Sequence, residues 1–261
     1  EDALEPKTVR KIFNTLSLII QNQVDPPNRK LPRNICKDIN WMAKVVTKRP
    51  KTNAINFDYW TPKYVAKLVD DIERYMVKLV CKILLQTACR PSEVRVLTRK
   101  DLENFDSQSN LPPMININKA MKCGTKKIGD TKTINGHRQL VITSQLRDEI
   151  NNYVKTLPMD QEHLFLDNVG SPLRLEAISR GIDKALKING VTLPIDRKGY
   201  FFRHYTASFW AYTSKYTNAI DLAKALGDKS IDFVSETYIK PYKNNNQEIV
   251  HIDYQEKHFN I

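Results

Sequence analysis

Apolar residues recur at helical spacing over much of this chain, which predicts a largely helical fold. The first such run predicts an amphipathic helix whose apolar face consists of Val9, Ile12, Phe13, Leu16, Ile19 and Ile20. A proline-containing stretch at residues 24–33 should end this helix. A second short helix is predicted from Ile39, Trp41, Met42, Val45 and Val46. The polar and basic stretch that follows, at 48–56, predicts a linker to a larger domain.

The larger domain opens with a helix start signal, because Thr61 suits the N-cap and Pro62 suits the first helical position. The next predicted helix, at about 75–89, is apolar on nearly all sides, so we expect it to be buried. Pro91 then opens a short helix with Glu93 in its first turn. Later in the chain the pattern predicts four more helices, at about 144–156, 175–188, 203–216 and 218–226.

Between these groups of helices the pattern changes to one that is typical of strands. Residues 114–118 alternate between apolar and polar, and two runs rich in β-branched residues flank the pair Asn135-Gly136. Asn-Gly between two such runs predicts a two-residue hairpin turn, which would place Lys132 near an exposed tip. Helices interrupted by one small antiparallel sheet make an α+β fold that is mainly α-helical.

The charge balance narrows the kinds of partner. The chain has 261 residues, with 41 Lys and Arg against 29 Asp and Glu, a formal net charge of +12 and a pI near 9.4. Such an excess is typical of proteins that bind a polyanion such as nucleic acid. On charge alone, a nucleic-acid-binding protein and a merely basic soluble protein are equally good interpretations.

The cysteines and histidines predict neither a metal nor a cofactor. No CxxC pair occurs among Cys36, Cys81, Cys89 and Cys123, and the five histidines form no HExxH-type set. With no signal peptide and no apolar run of 18 residues, we expect a reduced, intracellular compartment and no membrane partner. The sequence begins at Glu1 rather than at Met, so we expect it to be part of a longer protein.

Four segments carry residues suited to phosphate chemistry. They contain, in order, Arg90 with Glu93, Lys132, Arg203 with His204, and Tyr238. Breaking and rejoining DNA without a cofactor needs a nucleophile, at least two cations on the phosphate oxygens, and a proton donor for the leaving oxygen. Arginine suits the cation role because its planar guanidinium binds two phosphate oxygens and stays charged.

Each of these residues, taken alone, has an ordinary structural explanation. Arg90 would cap a helix, Lys132 would be a solvated edge-strand lysine, and Arg203 would begin a core helix. Tyr238 would be one packing tyrosine among eleven. Only the order and spacing of the four segments together favour chemistry over packing.

In that order and spacing, R-x-x-E, T-K-T, R-H-x-x-A-S and L-G-x-x-S-I…T-Y resemble the tyrosine recombinase, or phage-type integrase, family. The resemblance implies a catalytic DNA breaking-rejoining domain at 57–243, preceded by the linker at 48–56. It also implies that residues 1–47 are part of a helical core-binding domain, with an amino-terminal arm-binding domain missing from this sequence. The apolar residues of the tail at 244–261 would dock on a neighbouring protomer or, alternatively, pack on their own domain.

The resemblance also implies roles for the residues of the four segments. Arg90 and Arg203 would clamp the scissile phosphate, and Lys132 would be the general acid for the leaving 5′-hydroxyl. Tyr238 would attack phosphorus and form a 3′-phosphotyrosine, with Tyr242 and Tyr205 as rival nucleophiles. Because an unperturbed tyrosine has a pKa near ~10, the neighbouring cations would have to help it lose its proton.

Two positions depart from the pattern of that family. Tyr200 stands where the family usually has His, and Asp228 stands where it usually has His or Trp. Both are expected site residues. A phenol can donate a hydrogen bond to phosphate, whereas an aspartate would repel phosphate unless the aspartate is protonated or turned away. Glu93 and His204 would be supporting residues, and Lys229 is an alternative donor.

The function implied is site-specific recombination that integrates or excises a mobile element, either a phage or a transposon. The expected partners are double-stranded DNA, further copies of the chain in dimers to tetramers on DNA, and accessory DNA-bending or directionality factors. The expected location is cytoplasmic, with the nucleoid of a bacterial host. The alternatives are a Xer-like resolvase, a type IB-like topoisomerase, and a DNA-binding protein without catalysis.

Overall fold

The computed structural model describes residues 6–38, 54–106, 108–122, 127–131, 136–193, 198–213, 215–216 and 218–242. By the contacts within it, the chain divides into two compact units, Glu1–Lys51 and Thr52–Ile261. The assignment of the first unit to a core-binding domain, and the linker that would follow it, stay predictions.

The described residues of the first unit form a long helix, α1 (Pro6–Val24), and a 3-10 turn, Ile35–Lys37. The helix follows the predicted apolar repeat and ends shortly before the two consecutive prolines. Asn34 joins the two elements, because its side chain accepts a hydrogen bond from the Cys36 amide at 3.0 Å and donates one to the Ser17 carbonyl at 2.8 Å. The second helix predicted for this region lies outside the described residues, as does most of the linker.

The second unit holds the remaining helices. They are α2 (Pro62–Asp70), α3 (Tyr75–Thr87), α4 (Pro91–Val94), α5 (Ser144–Lys155), α6 (Leu175–Asn189), α7 (Phe201–Tyr212), α8 (Ala219–Leu226) and α9 (Ile231–Val234). The start and stop signals of the sequence operate as expected. Thr61 caps α2 by accepting a hydrogen bond from the Tyr64 amide at 3.2 Å, and Gly227 ends α8 with a φ of 63°.

The described strands form two small antiparallel sheets. The three-stranded sheet has the order β1 (Leu102–Glu103), β2 (Met114–Ile117), β5 (Arg138–Val141), and the two-stranded sheet joins β3 (Lys119–Met121) to β4 (Ile128–Asp130). In the first sheet Gln139 of β5 pairs with Asn116 of β2. Most of the predicted hairpin, residues 132–135, lies outside the described part of the chain, and the hairpin stays a prediction.

Helix α3 lies at the centre of the hydrophobic core of the second unit. Its side chains are buried on every side, as its apolar composition predicts, and it packs against α2, α6 and α7. The Thr206 hydroxyl on α7 donates to the Leu85 carbonyl on α3 at 2.6 Å, and the Tyr205 hydroxyl donates to the Trp60 carbonyl at 3.0 Å. The first contact holds α7 against the last turn of α3, and the second holds it against the segment that precedes α2.

A second, smaller apolar cluster lies beyond the end of α3. It contains Ala88, Ala207, Trp210, Leu222, Ala223, Leu226, Val234, Tyr238 and Ile239. The cluster joins the side of α7 to α8 and to the π-helical turn Ser235–Ile239 that continues α9. The fold is therefore mainly α-helical with small antiparallel sheets, which confirms the predicted α+β class.

Candidate active site

The candidate site lies where the carboxyl ends of α3 and α8 meet the first turn of α7. Arg203 enters from α7 and is almost fully buried. Its Nη1 donates to the Ala88 carbonyl at 2.6 Å, and its Nη2 donates to the Leu226 carbonyl at 3.1 Å. The last carbonyls of a helix lack partners within the helix and carry partial negative charge, so they are good acceptors for a guanidinium.

Arg90 enters from the other side, at the residue that precedes α4. Its Nη1 donates to Glu93 Oε1 at 2.8 Å, and its Nη2 donates to the Gly227 carbonyl at 2.9 Å. Its backbone amide donates to Glu93 Oε2 at 2.8 Å, so the glutamate also satisfies one of the free amides at the start of α4. Glu93 is 1% exposed and is bound to Arg90 through both of its carboxylate oxygens, while its supporting role stays a prediction.

Asp228 lies between the two arginines. One carboxylate oxygen contacts Arg90 Nη2, and the other accepts a hydrogen bond from Arg203 Nη2 at 2.7 Å. The Asp228 side chain is 22% exposed, so it is far more accessible than Glu93. The two guanidiniums therefore converge on a single oxyanion that lies on the open side of the site.

A third arginine, Arg138 of β5, belongs to the same cluster. Its Nη2 donates to Glu93 Oε2 at 2.8 Å, and its side chain is 8% exposed. Arg138 is not among the site residues predicted from the sequence. A buried glutamate beside one arginine favours a second cation nearby, and this was the only indication that the sequence offered. The sequence does not indicate that Arg138 is that cation.

The cluster has an excess of positive charge. Three arginines face the two carboxylates of Glu93 and Asp228, which leaves one net positive charge in a largely buried position. Burial raises the pKa of Glu93, but the Arg138 and Arg90 guanidiniums outweigh burial and hold that pKa below its ordinary value. Glu93 is thus favoured in its charged form, and the net positive charge of the cluster suits an anionic ligand.

Tyr238 lies beside this cluster in the π-helical turn Ser235–Ile239. It is 5% exposed, and burial raises the pKa of its hydroxyl. The Arg203 and Arg90 guanidiniums lower that pKa while the Asp228 carboxylate raises it, so the charged cluster acts on the phenol directly. π-helical turns are rare and are often found at functional sites.

His204 packs against Tyr238, with 5.3 Å between the ring centroids. Burial lowers the pKa of His204 to about 4, so its imidazole is neutral at pH 7. Its Nε2 is buried and has no hydrogen-bond partner within the described residues. The contact supports a role for His204 in holding the tyrosine ring rather than in adding charge.

The other expected site residues are not brought into the cluster by the described contacts. Tyr200 lies in the 3-10 turn Lys198–Tyr200 that leads into α7, and its electrostatic partner is Arg95. Lys132 lies outside the described residues, as do the side chain of Tyr242 and the tail at 244–261. Their expected roles stay predictions.

The described residues contain neither a metal-binding cluster nor a membrane-spanning helix. No group of three or more His, Cys, Asp or Glu side chains in this part of the chain is placed to hold a metal ion. Among the helices it contains, none is long and apolar enough to cross a membrane.

Comparison with known proteins gives no match to a family model and none to a curated protein sequence. Solved structures do match. The fold is similar to that of the Tn1549 transposon integrase in complex with transposon right end DNA, at 20% identity over 90% of this chain and 76% of that chain, with a TM-score of 0.66.

Two further structures match with lower scores. A lambda integrase dimer bound to a core site matches at 12% identity over 95% of this chain and 63% of that chain, with a TM-score of 0.58. The XerH site-specific recombinase bound to its difH substrate matches at 19% identity over 67% of this chain and 47% of that chain, with a TM-score of 0.52. The chain therefore has the fold of the tyrosine recombinases and integrases.

Proposed function

We propose that this protein breaks and rejoins DNA at specific sites, and that it integrates or excises a mobile element. The observation that carries the proposal is the convergence of Arg90 and Arg203 on one oxyanion beside the buried Tyr238. The neighbours in fold include an integrase in complex with transposon DNA and a recombinase bound to its DNA substrate, which supports the same reading. The net charge of +12 fits a DNA ligand.

In the proposed reaction the scissile phosphate takes the place of the Asp228 carboxylate between the two guanidiniums. Each arginine is already held by backbone carbonyls, and Arg90 also by Glu93, so neither needs to reorganise when the phosphate arrives. Fixed donors of this kind stabilise the charge that develops on the phosphate oxygens in the transition state. A carboxylate and a phosphate present similar pairs of oxygens to a guanidinium.

Tyr238 is the proposed nucleophile. Its oxygen attacks phosphorus, a 3′-phosphotyrosyl bond forms, and the bond from phosphorus to the 5′-oxygen breaks. The phenol proton passes to a solvent water as the new bond forms, and the 5′-oxygen takes up a proton, for which Lys132 is the proposed donor. The energy of the broken bond is conserved in the phosphotyrosyl ester. Attack on this ester by the 5′-hydroxyl of a second strand can therefore reverse the cleavage step.

Two further residues and the working assembly complete the proposal. His204 is proposed to hold the ring of Tyr238 in position through the ring contact. Tyr200 is proposed to donate a hydrogen bond to phosphate once DNA is bound. Dimers to tetramers on DNA, with accessory bending or directionality factors, are proposed as the working assembly, and sedimentation of the protein with and without DNA measures its size.

A covalent trapping assay tests the proposed function. The probes are nicked duplexes that tile the DNA on either side of the coding sequence, so that cleavage next to a nick releases a short fragment and prevents religation. A protein–DNA adduct on a denaturing gel, formed with a few of the duplexes and not with the others, is the expected result. Adducts on all of the duplexes alike would indicate a topoisomerase-like activity in place of site-specific recombination.

A second candidate function is a DNA-binding protein without catalysis. The observation that favours it is the position of Asp228, whose carboxylate fills the arginine pair. Such a protein would bind the same duplexes with an affinity that falls steeply with salt, yet form no adduct. Tight, salt-dependent binding with no adduct on any of the duplexes would favour this candidate over the recombinase.

Asp228→Asn separates the two candidates. The substitution keeps the size of the side chain and removes the charge that competes with phosphate, so we expect adduct formation to become about 10-fold faster, a change worth roughly 1.4 kcal/mol. Single-turnover trapping on the nicked duplexes measures the rate. Asp232→Asn, an equal change of charge at an exposed residue of α9, is the matched control and should have little effect.

A loss of cleavage in Asp228→Asn, with the control unchanged, would mean that the carboxylate takes part in the reaction instead of competing with the phosphate. No adduct from either the parent or Asp228→Asn would favour the non-catalytic DNA-binding protein.

A further inference from the structure

Arg138 has a place in the cluster that the proposed chemistry does not use. It reaches Glu93 from β5, and Glu93 lies at the start of α4, so the contact joins the sheet to the helix that follows Arg90. Its Nη1 also donates to the Gly136 carbonyl at 3.0 Å, while its Nη2 lies 3.6 Å from the Sγ of Cys89. None of the hydrogen bonds of its guanidinium within the described residues goes to Asp228.

The Glu93 carboxylate is held from two sides as a result. Oε1 accepts from Arg90 Nη1 at 2.8 Å and from Arg138 Nη1 at 3.4 Å. Oε2 accepts from the Arg90 backbone amide at 2.8 Å and from Arg138 Nη2 at 2.8 Å. Each oxygen of this carboxylate accepts from both arginines, so the carboxylate has one favoured orientation. That orientation determines where Arg90 Nη1 must lie to keep its hydrogen bond.

From this geometry we infer that Arg138 is a positioning residue, which fixes the orientation of the Glu93 carboxylate and through it the guanidinium of Arg90. The inference rests on the proposed function in one respect, namely that Arg90 binds the phosphate. Without Arg138 the buried carboxylate would keep only the donors of Arg90, and it could turn to follow them. The position of Arg90 would then be less well defined at the moment of reaction, and misplaced groups lower a rate more than they lower affinity.

The burial of Arg138 favours this role over simple packing. Its side chain is 8% exposed, and its Nε is buried with no hydrogen-bond partner within the described residues. An unpaired buried donor is costly, so the side chain is not optimal as a structural anchor. The two nitrogens that do have partners are directed at Glu93, at the Gly136 carbonyl and at Cys89, next to Arg90.

The test uses Arg138→Met, which removes the charge, and Arg138→Lys, which keeps it. Arg147→Met is the matched control, because Arg147 is 11% exposed and pairs with Asp148 away from the site. In single-turnover cleavage at saturating protein we expect Arg138→Met to be about 10- to 100-fold slower than the parent, with DNA affinity changed less than about threefold. Arg138→Lys should recover part of the rate, and Arg147→Met should cleave at the parental rate.

A double-mutant cycle with Glu93→Gln shows whether the effect passes through the glutamate. If it does, Arg138→Met slows the Glu93→Gln variant by less than about threefold, since the residue it acts through is already altered. Equal slowing in both backgrounds would overturn the inference. A loss of DNA affinity as large as the loss of rate would also overturn the inference. So would an equal fall in the midpoint of thermal unfolding in Arg138→Met and Arg138→Lys.

A second readout keeps the inference separate from the proposed function. The ¹⁵N resonance of the Arg90 side chain, recorded without DNA, reports the environment of its guanidinium. We expect it to shift and broaden in Arg138→Met and to stay near its parental position in Arg147→Met. An unchanged resonance in Arg138→Met would overturn the positioning role. If the resonance changes as expected but the parent protein never forms an adduct, the positioning role is supported and only the proposed chemistry is contradicted.

Discussion

Tyr238→Phe should form no covalent adduct with nicked duplexes, while its affinity for the same DNA stays close to that of the parent. The substitution removes one oxygen and leaves the ring, which belongs to the small apolar cluster and also contacts His204 and Phe233. Without the oxygen there is no nucleophile, so we expect the adduct to decrease by at least about a thousandfold. Denaturing gels measure the adduct, and a filter-binding titration measures the affinity.

Tyr242→Phe is the control for this prediction, because Tyr242 is the rival nucleophile four residues later in the sequence. We expect it to retain the adduct. An adduct that persists in Tyr238→Phe and disappears in Tyr242→Phe would move the nucleophile to Tyr242. An adduct that persists in both variants would show that the attacking group is not on this segment, and it would require a different assignment of the whole site.

Arg203→Lys should slow cleavage by about 100-fold or more, although it keeps the positive charge. The guanidinium of Arg203 binds the Ala88 carbonyl, the Leu226 carbonyl and the Asp228 carboxylate at the same time. A lysine ammonium is a compact charge on a flexible stem, and it cannot reproduce the planar fork that holds two partners and a phosphate. Single-turnover trapping at saturating protein measures the rate.

Arg99→Lys is a suitable control, since Arg99 also serves backbone carbonyls, including that of Pro158 at 2.9 Å, but lies away from the site. Both variants lose hydrogen bonds to carbonyls, so both should lower the thermal midpoint. Only Arg203→Lys should also slow cleavage. A rate for Arg203→Lys within about threefold of the parental rate would remove Arg203 from the set of phosphate ligands.

The helices were predictable because their signals are local. Thr61 and Pro62 mark the start of α2, and the αL conformation expected of a glycine at the end of a helix is found at Gly227. Boundaries were less accurate where tertiary packing decides them. Helix α7 begins at Phe201, two residues before the predicted start, because the core packing of Phe201 and Phe202 extends the helix towards the preceding 3-10 turn.

The arrangement of the site depends on contacts that a linear pattern does not contain. Spacing places Arg90 near Glu93, but nothing in the sequence places Asp228 between Arg90 and Arg203, since that depends on how the end of α8 meets the end of α3. Arg138 was missed for the same reason. Its partner is 45 residues away in the sequence, and only the position of the sheet brings the two together.

The resemblance to a family supplied what the residues alone did not. Taken singly, Arg203 is an arginine near the start of a core helix and Tyr238 is a packing tyrosine, and the structure shows that both descriptions are also true, because both side chains are buried. Chemistry and packing are therefore not alternatives at these positions. A buried charge that is fully paired by carbonyls and a carboxylate can contribute to the structure and still bind a ligand.

The carboxylate of Asp228 has a consequence for which anions can reach the arginine pair. A ligand tethered to the site acts at an effective concentration of millimolar or more, set by the short segment that carries it rather than by the solution. Free phosphate and nucleotides must compete against that concentration with one or a few contacts, and we expect them to occupy the pair poorly. In the proposed reaction a DNA duplex is held through many other phosphates, so its scissile phosphate is tethered in the same way and competes on equal terms. We therefore expect the site to prefer a phosphate that belongs to a polymer.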